Sequence, residues 1–186
     1  MQNIVNKKPK KVSMLIKKIA FLLLFAMGVN SCFSQDKKIN VYAFVAEECP
    51  ISIYMASALK DVAGNYGDKA NFYLVFPFST STHEKAGAFK AENLLTAFTI
   101  KMDKAHRLTK KLGATVTPEV VITGASDTIL YQGRINDAYA QPGKRKHIYT
   151  SNDLAAALEN ILNGREMPKP WKRAVGCYIT NQNGRQ

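Results

Sequence analysis

Glu47-Glu48-Cys49-Pro50-Ile51-Ser52 is the stretch on which the reading of this chain turns. Behind it, Ile39-Asn40-Val41-Tyr42-Ala43-Phe44-Val45 is rich in β-branched and aromatic residues and predicts a strand. Ahead of it, Ile51, Met55, Leu59 and Val62 recur at helical spacing and predict a helix from Ile51 to about Tyr66. Pro50 suits the first turn of that helix, where no backbone N–H is required. Cys49 therefore falls at a strand-to-helix junction, beside unpaired N–H groups and the positive end of a helix dipole. Both favour a thiolate, which makes Cys49 the candidate nucleophile. Glu47 and Glu48 work against it, because neighbouring carboxylates disfavour another negative charge. The competing reading is a cysteine that only packs or forms a structural disulfide.

Working outward, Asn71–Phe76 reads as a buried strand stopped by Pro77. Ser79-Thr80-Ser81-Thr82 supplies capping residues for a helix from about Glu84 to Ala97, and Phe98–Met102 suggests a short strand. Asp103 is placed to cap a helix over Lys104–Leu112, which Gly113 closes. Val120–Thr123 and Thr128–Tyr131 flank Gly124-Ala125-Ser126-Asp127 as a hairpin. Ser151-Asn152-Asp153 opens a last helix with Leu154, Leu158, Ile161 and Leu162 on its inner stripe. The remaining tail is rich in Pro, Lys and Asn, with Trp171, Val175 and Cys177 as anchors. An order of β-α-β-α-β-α-β-β-α calls for a parallel βαβ pair joined to antiparallel strands. The expected class is α/β, a mixed sheet with helices on both faces, in one domain over residues 36–166 and a tail over 167–186.

The N-terminus changes how the charge is read. The net charge is +12, but residues 1–35 hold six lysines and no acid, leaving 20 basic against 14 acidic residues elsewhere. That remainder lacks the aromatic-interleaved basic patch of a nucleic-acid binder, and none is expected. Lys17-Lys18 followed by the apolar run Ile19–Val29 fits a signal peptide better than a membrane span. Met14 is the more ordinary start for such a signal than Met1. Val29-Asn30-Ser31-Cys32 resembles a bacterial lipoprotein signal, with Cys32 as the lipidated residue and possible membrane anchor; Asn30 departs from the usual small residue. Cleavage near Ser34-Gln35 is the alternative. Either route exports the mature chain to the periplasm or envelope, where disulfides persist.

Cys49-Pro50-Ile51-Ser52, the later Thr117-Pro118 and the order of elements together resemble the thioredoxin-like superfamily. The likeness covers roughly residues 39–180. It is closest to exported bacterial redoxin and thiol-disulfide oxidoreductase domains of the alkyl-hydroperoxide-reductase/thiol-specific-antioxidant group. Thr115–Val120, Ile129–Asp137 and the tail Ala174-Val175-Gly176-Cys177-Tyr178-Ile179 look especially like that group. The resemblance implies a cis Pro118 facing Cys49, with Thr117 offering its backbone to an extended substrate; Pro50 belongs to the same docking surface. The family's residue before the cysteine is often aromatic, so Glu48 is a departure.

Ser52 stands where the common Cys-x-x-Cys motif has its second cysteine. Its hydroxyl can donate to the Cys49 sulfur but cannot resolve a mixed disulfide. Cys177 is the main candidate for that role, and three arrangements stay open: a redox pair, a permanent staple, or no pair. Peroxidatic sites resemble Pro-x-x-x-Thr-x-x-Cys, but Tyr42 and Ala46 hold those places here, and Arg134 reads as a solvated surface residue. Copper-delivery relatives need a cysteine where Ile53 stands. His83, His106 and His147 are scattered without metal-ligand spacing and read as surface residues, so no metal is expected. The expected protein is an exported thiol-disulfide oxidoreductase acting on a thiol- or disulfide-bearing protein partner, without a bound cofactor. The alternatives are a non-catalytic envelope module stapled by Cys49–Cys177 and an atypical thiol peroxidase.

Overall fold

The centre of the molecule is β1 (Asn40–Phe44). In the computed structural model, which describes residues 39–141 and 143–180, β1 runs parallel to β2 (Asn71–Phe76), with Asn40 opposite Asn71. β2 in turn runs parallel to β3 (Phe98–Met102). On its other side β1 pairs antiparallel with β5 (Glu119–Thr123), which pairs antiparallel with β6 (Ile129–Gly133). The five strands lie in the order β3-β2-β1-β5-β6.

Alternation along β1 sends Val41, Ala43 and Val45 into one core cluster and Phe44 into a second on the opposite face. α1 (Pro50–Tyr66) contributes Met55, Leu59 and Val62 to the first cluster, and α4 (Asp153–Leu162) contributes Leu154 and Leu158. Each such buried leucine contributes about 1.5–3 kcal/mol. α2 (His83–Glu92) adds Phe89 to the same side. α3 (Arg107–Leu112) covers the other face through Leu112, joined there by Val75 and Val121. A mixed sheet with helices on both faces is thus the architecture, as the element order implied.

Several local expectations need correcting. α2 ends at Glu92 rather than near Ala97, because the Asn93 amide donates to the Phe89 carbonyl at 2.8 Å and Leu94 takes a left-handed φ of 54°. α3 begins at Arg107 rather than Lys104, since His106 also sits at a left-handed φ of 54°. Asp103 still caps this helix, accepting from the Leu108 and Thr109 N–H groups at 3.1 and 2.7 Å. His106 is buried rather than on the surface, its Nε2 2.7 Å from the Pro77 carbonyl oxygen; His83 and His147 are exposed. Arg134 is not a solvated residue: its Nε donates to Asp153 at 2.8 Å, at the first turn of α4, with both side chains largely covered. It serves that helix end, not the cysteines.

The tail is more ordered than composition suggested. Trp171 packs against Tyr131 with ring centroids 6.0 Å apart, and the Arg134 N–H donates to the Lys172 carbonyl at 3.1 Å. Beyond that point β9 (Cys177–Tyr178) pairs antiparallel with β4 (Val116–Thr117). A second small ladder, β7 (Tyr139–Gln141) with β8 (Lys144–Arg145), had no signal in the sequence. Among the described residues no helix is long and apolar enough to cross a membrane. Residues 1–35, read as an export signal with Cys32, lie outside the described residues.

Asp137 ties the loop before α4 together. Its carboxylate pairs with the Lys146 ammonium and accepts from the Ser151 and Thr150 N–H groups and the Thr150 hydroxyl. The ammonium first, then these N–H and O–H donors, hold its pKa below the carboxylate range against the opposing effect of burial. A carboxyl whose folded pKa lies below its unfolded value of about 3.9 stabilises the fold above that value and stops doing so as pH falls. The stability difference between wild type and Asp137→Asn, measured by urea unfolding, is therefore expected to shrink from pH 6 to pH 3.

Candidate active site

The strand-to-helix turn after β1 places Cys49 at the N-cap of α1, with extended backbone angles (φ −85°, ψ 115°). Its carbonyl accepts the first helical bond, from the Ile53 N–H at 3.0 Å. Pro50 occupies the first turn and is exposed. The Cys49 side chain is 3% exposed, and its thiol donates to the Thr117 carbonyl at 3.2 Å. Its sulfur lies 2.7 Å from the sulfur of Cys177, and both cysteines are free thiols.

Cys177 reaches this place by strand pairing. Thr117 faces Cys177 and Val116 faces Tyr178 across β4 and β9; the Ile179 N–H extends the ladder to the Thr115 carbonyl at 2.9 Å. The Thr117 hydroxyl donates to the Cys177 carbonyl at 3.4 Å. The Thr117–Pro118 peptide bond is cis, and so is Lys169–Pro170. Gly176 crosses directly above this bond: a Cβ there would lie 2.1 Å from the Thr117 carbonyl oxygen and 3.0 Å from the Pro118 nitrogen. Only a residue without a side chain fits.

Glu119 braces the docking strand from below. It is buried, and its Oε2 accepts from the Thr115 N–H at 2.7 Å, the Thr115 hydroxyl at 3.3 Å and the Val116 N–H at 3.4 Å. Its Oε1 accepts from Gln132 Nε2 on β6 at 3.0 Å. Neither Glu119 nor Gly176 was singled out from sequence. A carboxylate three residues after backbone N–H groups in a turn was the available signal for the first. Nothing local pointed to the second.

Burial pushes the Cys49 thiol pKa up, but hydrogen bonds from the Cys177 thiol, the Ser52 N–H, the Ser52 hydroxyl and the Cys177 N–H outweigh it and leave the pKa below that of a free cysteine. Cys177 moves the other way, to about 11, through burial, its hydrogen bond to Cys49 and the neighbouring charge. The two thiols are thus shifted in opposite senses, Cys49 down and Cys177 up, which makes Cys49 the more acidic of the pair. Ser52 is fully buried one turn into α1, where its hydroxyl also accepts from the Ala46 N–H at 3.3 Å. Replacing Ser52 with alanine is expected to raise the Cys49 pKa and slow its alkylation at pH 7 by about three- to tenfold, as read by iodoacetamide kinetics against pH.

The adjacent acids have partners of their own. The Ser81 hydroxyl donates to Glu47 Oε2 at 2.7 Å, and exposed Glu48 pairs with Lys85 at 3.0 Å. Both line an open cleft of about 200 Å³ in front of the two cysteines. Tyr42, at the place of a peroxidatic proline, stacks on Tyr73 at 5.0 Å. Among the described residues no three His, Cys, Asp or Glu side chains are grouped to hold a metal.

No protein-family model and no curated protein matches the chain. Among solved structures, it is similar to a hypothetical protein from Sinorhizobium meliloti 1021, with 26% identity, a TM-score of 0.70, and 80% of this chain and 82% of that chain covered. It is also similar to a secreted Mycobacterium tuberculosis disulfide oxidoreductase homologous to E. coli DsbE, at 18% identity and a TM-score of 0.50 over 66% of this chain and 81% of that one. A thioredoxin-like protein from Aeropyrum pernix matches with 17% identity and a TM-score of 0.50, over 69% of this chain and 78% of its own. The fold is thioredoxin-like. In this thioredoxin-like frame Cys49, Ser52, Thr117, Pro118 and Cys177 gather at one point, with Pro50 at its rim. Cys32 lies outside the described residues.

Proposed function

We propose that this protein is an exported thiol-disulfide oxidoreductase whose redox couple is Cys49 and Cys177. The observation that carries the reading is the 2.7 Å approach of a buried, acidified Cys49 thiol to the Cys177 thiol of a paired tail strand. Oxidation joins the two sulfurs with loss of two electrons and two protons, while the disulfide of a partner protein takes these up to become two thiols. The reverse reaction reduces the couple at a partner's expense. Ser52 and the N-terminus of α1 hold the charge on Cys49, and β4 sets the register of Cys177. The partner is a protein bearing a thiol or a disulfide, met outside the cytoplasm, and the exchange calls on no bound cofactor.

The test is an equilibrium. The full chain is incubated in glutathione mixtures of graded poise at pH 7, and pairing of Cys49 with Cys177 is read by alkylation and peptide mass. Reversible interconversion is expected while circular dichroism shows an intact fold. A cystine reduced only once the protein unfolds would make the bridge a staple and sink the proposal.

A further inference from the structure

The two sulfurs of the couple differ sharply in access. Cys49 is 3% exposed beneath the tail, with the Thr117 carbonyl 3.2 Å from its sulfur and the first turn of α1 around it. Cys177 is exposed on a two-residue strand, and although both cysteines line the open cleft, only Cys177 presents much of its surface to it. In thiol-disulfide exchange the incoming thiolate must reach the attacked sulfur, and the other sulfur leaves. An approach to Cys49 is hindered by the protein that nearly covers it, whereas an approach to Cys177 comes from solvent.

We propose that an outside thiol enters the oxidised couple at Cys177, so that the tail strand, not the helix cysteine, carries the mixed disulfide. This rests on the reading of Cys49 and Cys177 as a redox pair. The outside thiolate forms a bond to Cys177 Sγ as the Cys177–Cys49 bond breaks, and the electron pair of that bond leaves on Cys49. The departing thiolate is received by the Ser52 N–H and hydroxyl at the helix N-terminus, and a thiol of lowered pKa leaves faster. Among the described residues no such donors lower the Cys177 pKa, which burial and the neighbouring Cys49 raise, so attack in the other sense would expel the poorer leaving group. A second outside thiolate then attacks the outside sulfur of the mixed disulfide, giving the outside disulfide and a Cys177 thiolate that takes its proton from water. In the opposite direction Cys49 attacks Cys177 Sγ and expels the outside thiol.

The experiment uses the full chain with Cys32→Ser, which leaves two cysteines. The protein is oxidised, the Cys49–Cys177 cystine is verified by peptide mass, and glutathione is added together with excess iodoacetamide to cap the sulfur that leaves. The expected product has glutathione on Cys177 and the alkyl group on Cys49, in at least about tenfold excess over the converse. Equal yields, or glutathione mainly on Cys49, would overturn the entry order while leaving the redox pair standing. Failure to form the cystine at all would overturn the pair itself, and the entry order with it.

Discussion

Replacing Cys49 with serine is expected to reduce two-electron exchange with glutathione by at least about a hundredfold at pH 7, because a serine hydroxyl is not ionised there and forms no disulfide. The fold should survive the change. Cys49 is the N-cap of α1 and makes no side-chain cap hydrogen bond of its own, and serine is among the preferred residues at that position. Unfolding free energy is accordingly expected to move by about 1 kcal/mol or less. Stopped-flow exchange and urea denaturation on the same preparation separate the two effects. A variant that keeps a tenth of the wild-type rate would show that the chemistry lies elsewhere.

Gly176→Ala is the second large effect. The new Cβ would fall 2.1 Å from the Thr117 carbonyl oxygen and 2.5 Å from its carbon, both backbone atoms held by β4. The tail, not the buried strand, has to yield, so β9 lifts and Cys177 loses its place over Cys49. What is lost is the local concentration of one thiol at the other. At fixed glutathione poise the fraction of Cys49–Cys177 cystine is expected to drop by about a hundredfold in its equilibrium constant. At the same time iodoacetamide should reach Cys49 faster. Thr117, Pro118 and Gly176 are not members of either core cluster, so the cost to global stability stays within about 1–3 kcal/mol. An unchanged redox equilibrium would mean that the register of β4 and β9 is not what brings the sulfurs together.

The contrast between these sites and the rest explains what the sequence could disclose. The turn from β1 into α1 was legible because alternation and helical spacing change abruptly at Cys49, and Pro50 marks the boundary. The α/β class followed from runs long enough to carry a period. β9 was not legible: it is a two-residue strand, and its partner Thr117 is sixty positions away. Two residues carry no periodicity, and pairing at that distance is decided by how the chain folds back after Trp171. His106 and Arg134 were misplaced for a related reason. Their usual exposure is a statement about residue type, whereas a carbonyl on Pro77 and a carboxylate on Asp153 give each of them a partner under cover. Cys49 and Cys177 could be named as candidates, but their distance depended on that same fold-back.

The ladder between β4 and β9 also bears on how freely this tail can diverge. Main-chain hydrogen bonds fix the Cys177 register, from Thr117 opposite Cys177 to the Ile179 N–H on the Thr115 carbonyl. Such bonds read no side chains. Arg173 and Tyr178 are exposed, so substitutions there can accumulate while the sulfur stays where it is. Past Trp171, side-chain identity then matters most at two adjacent letters, a glycine with no room for a side chain and the cysteine that follows it.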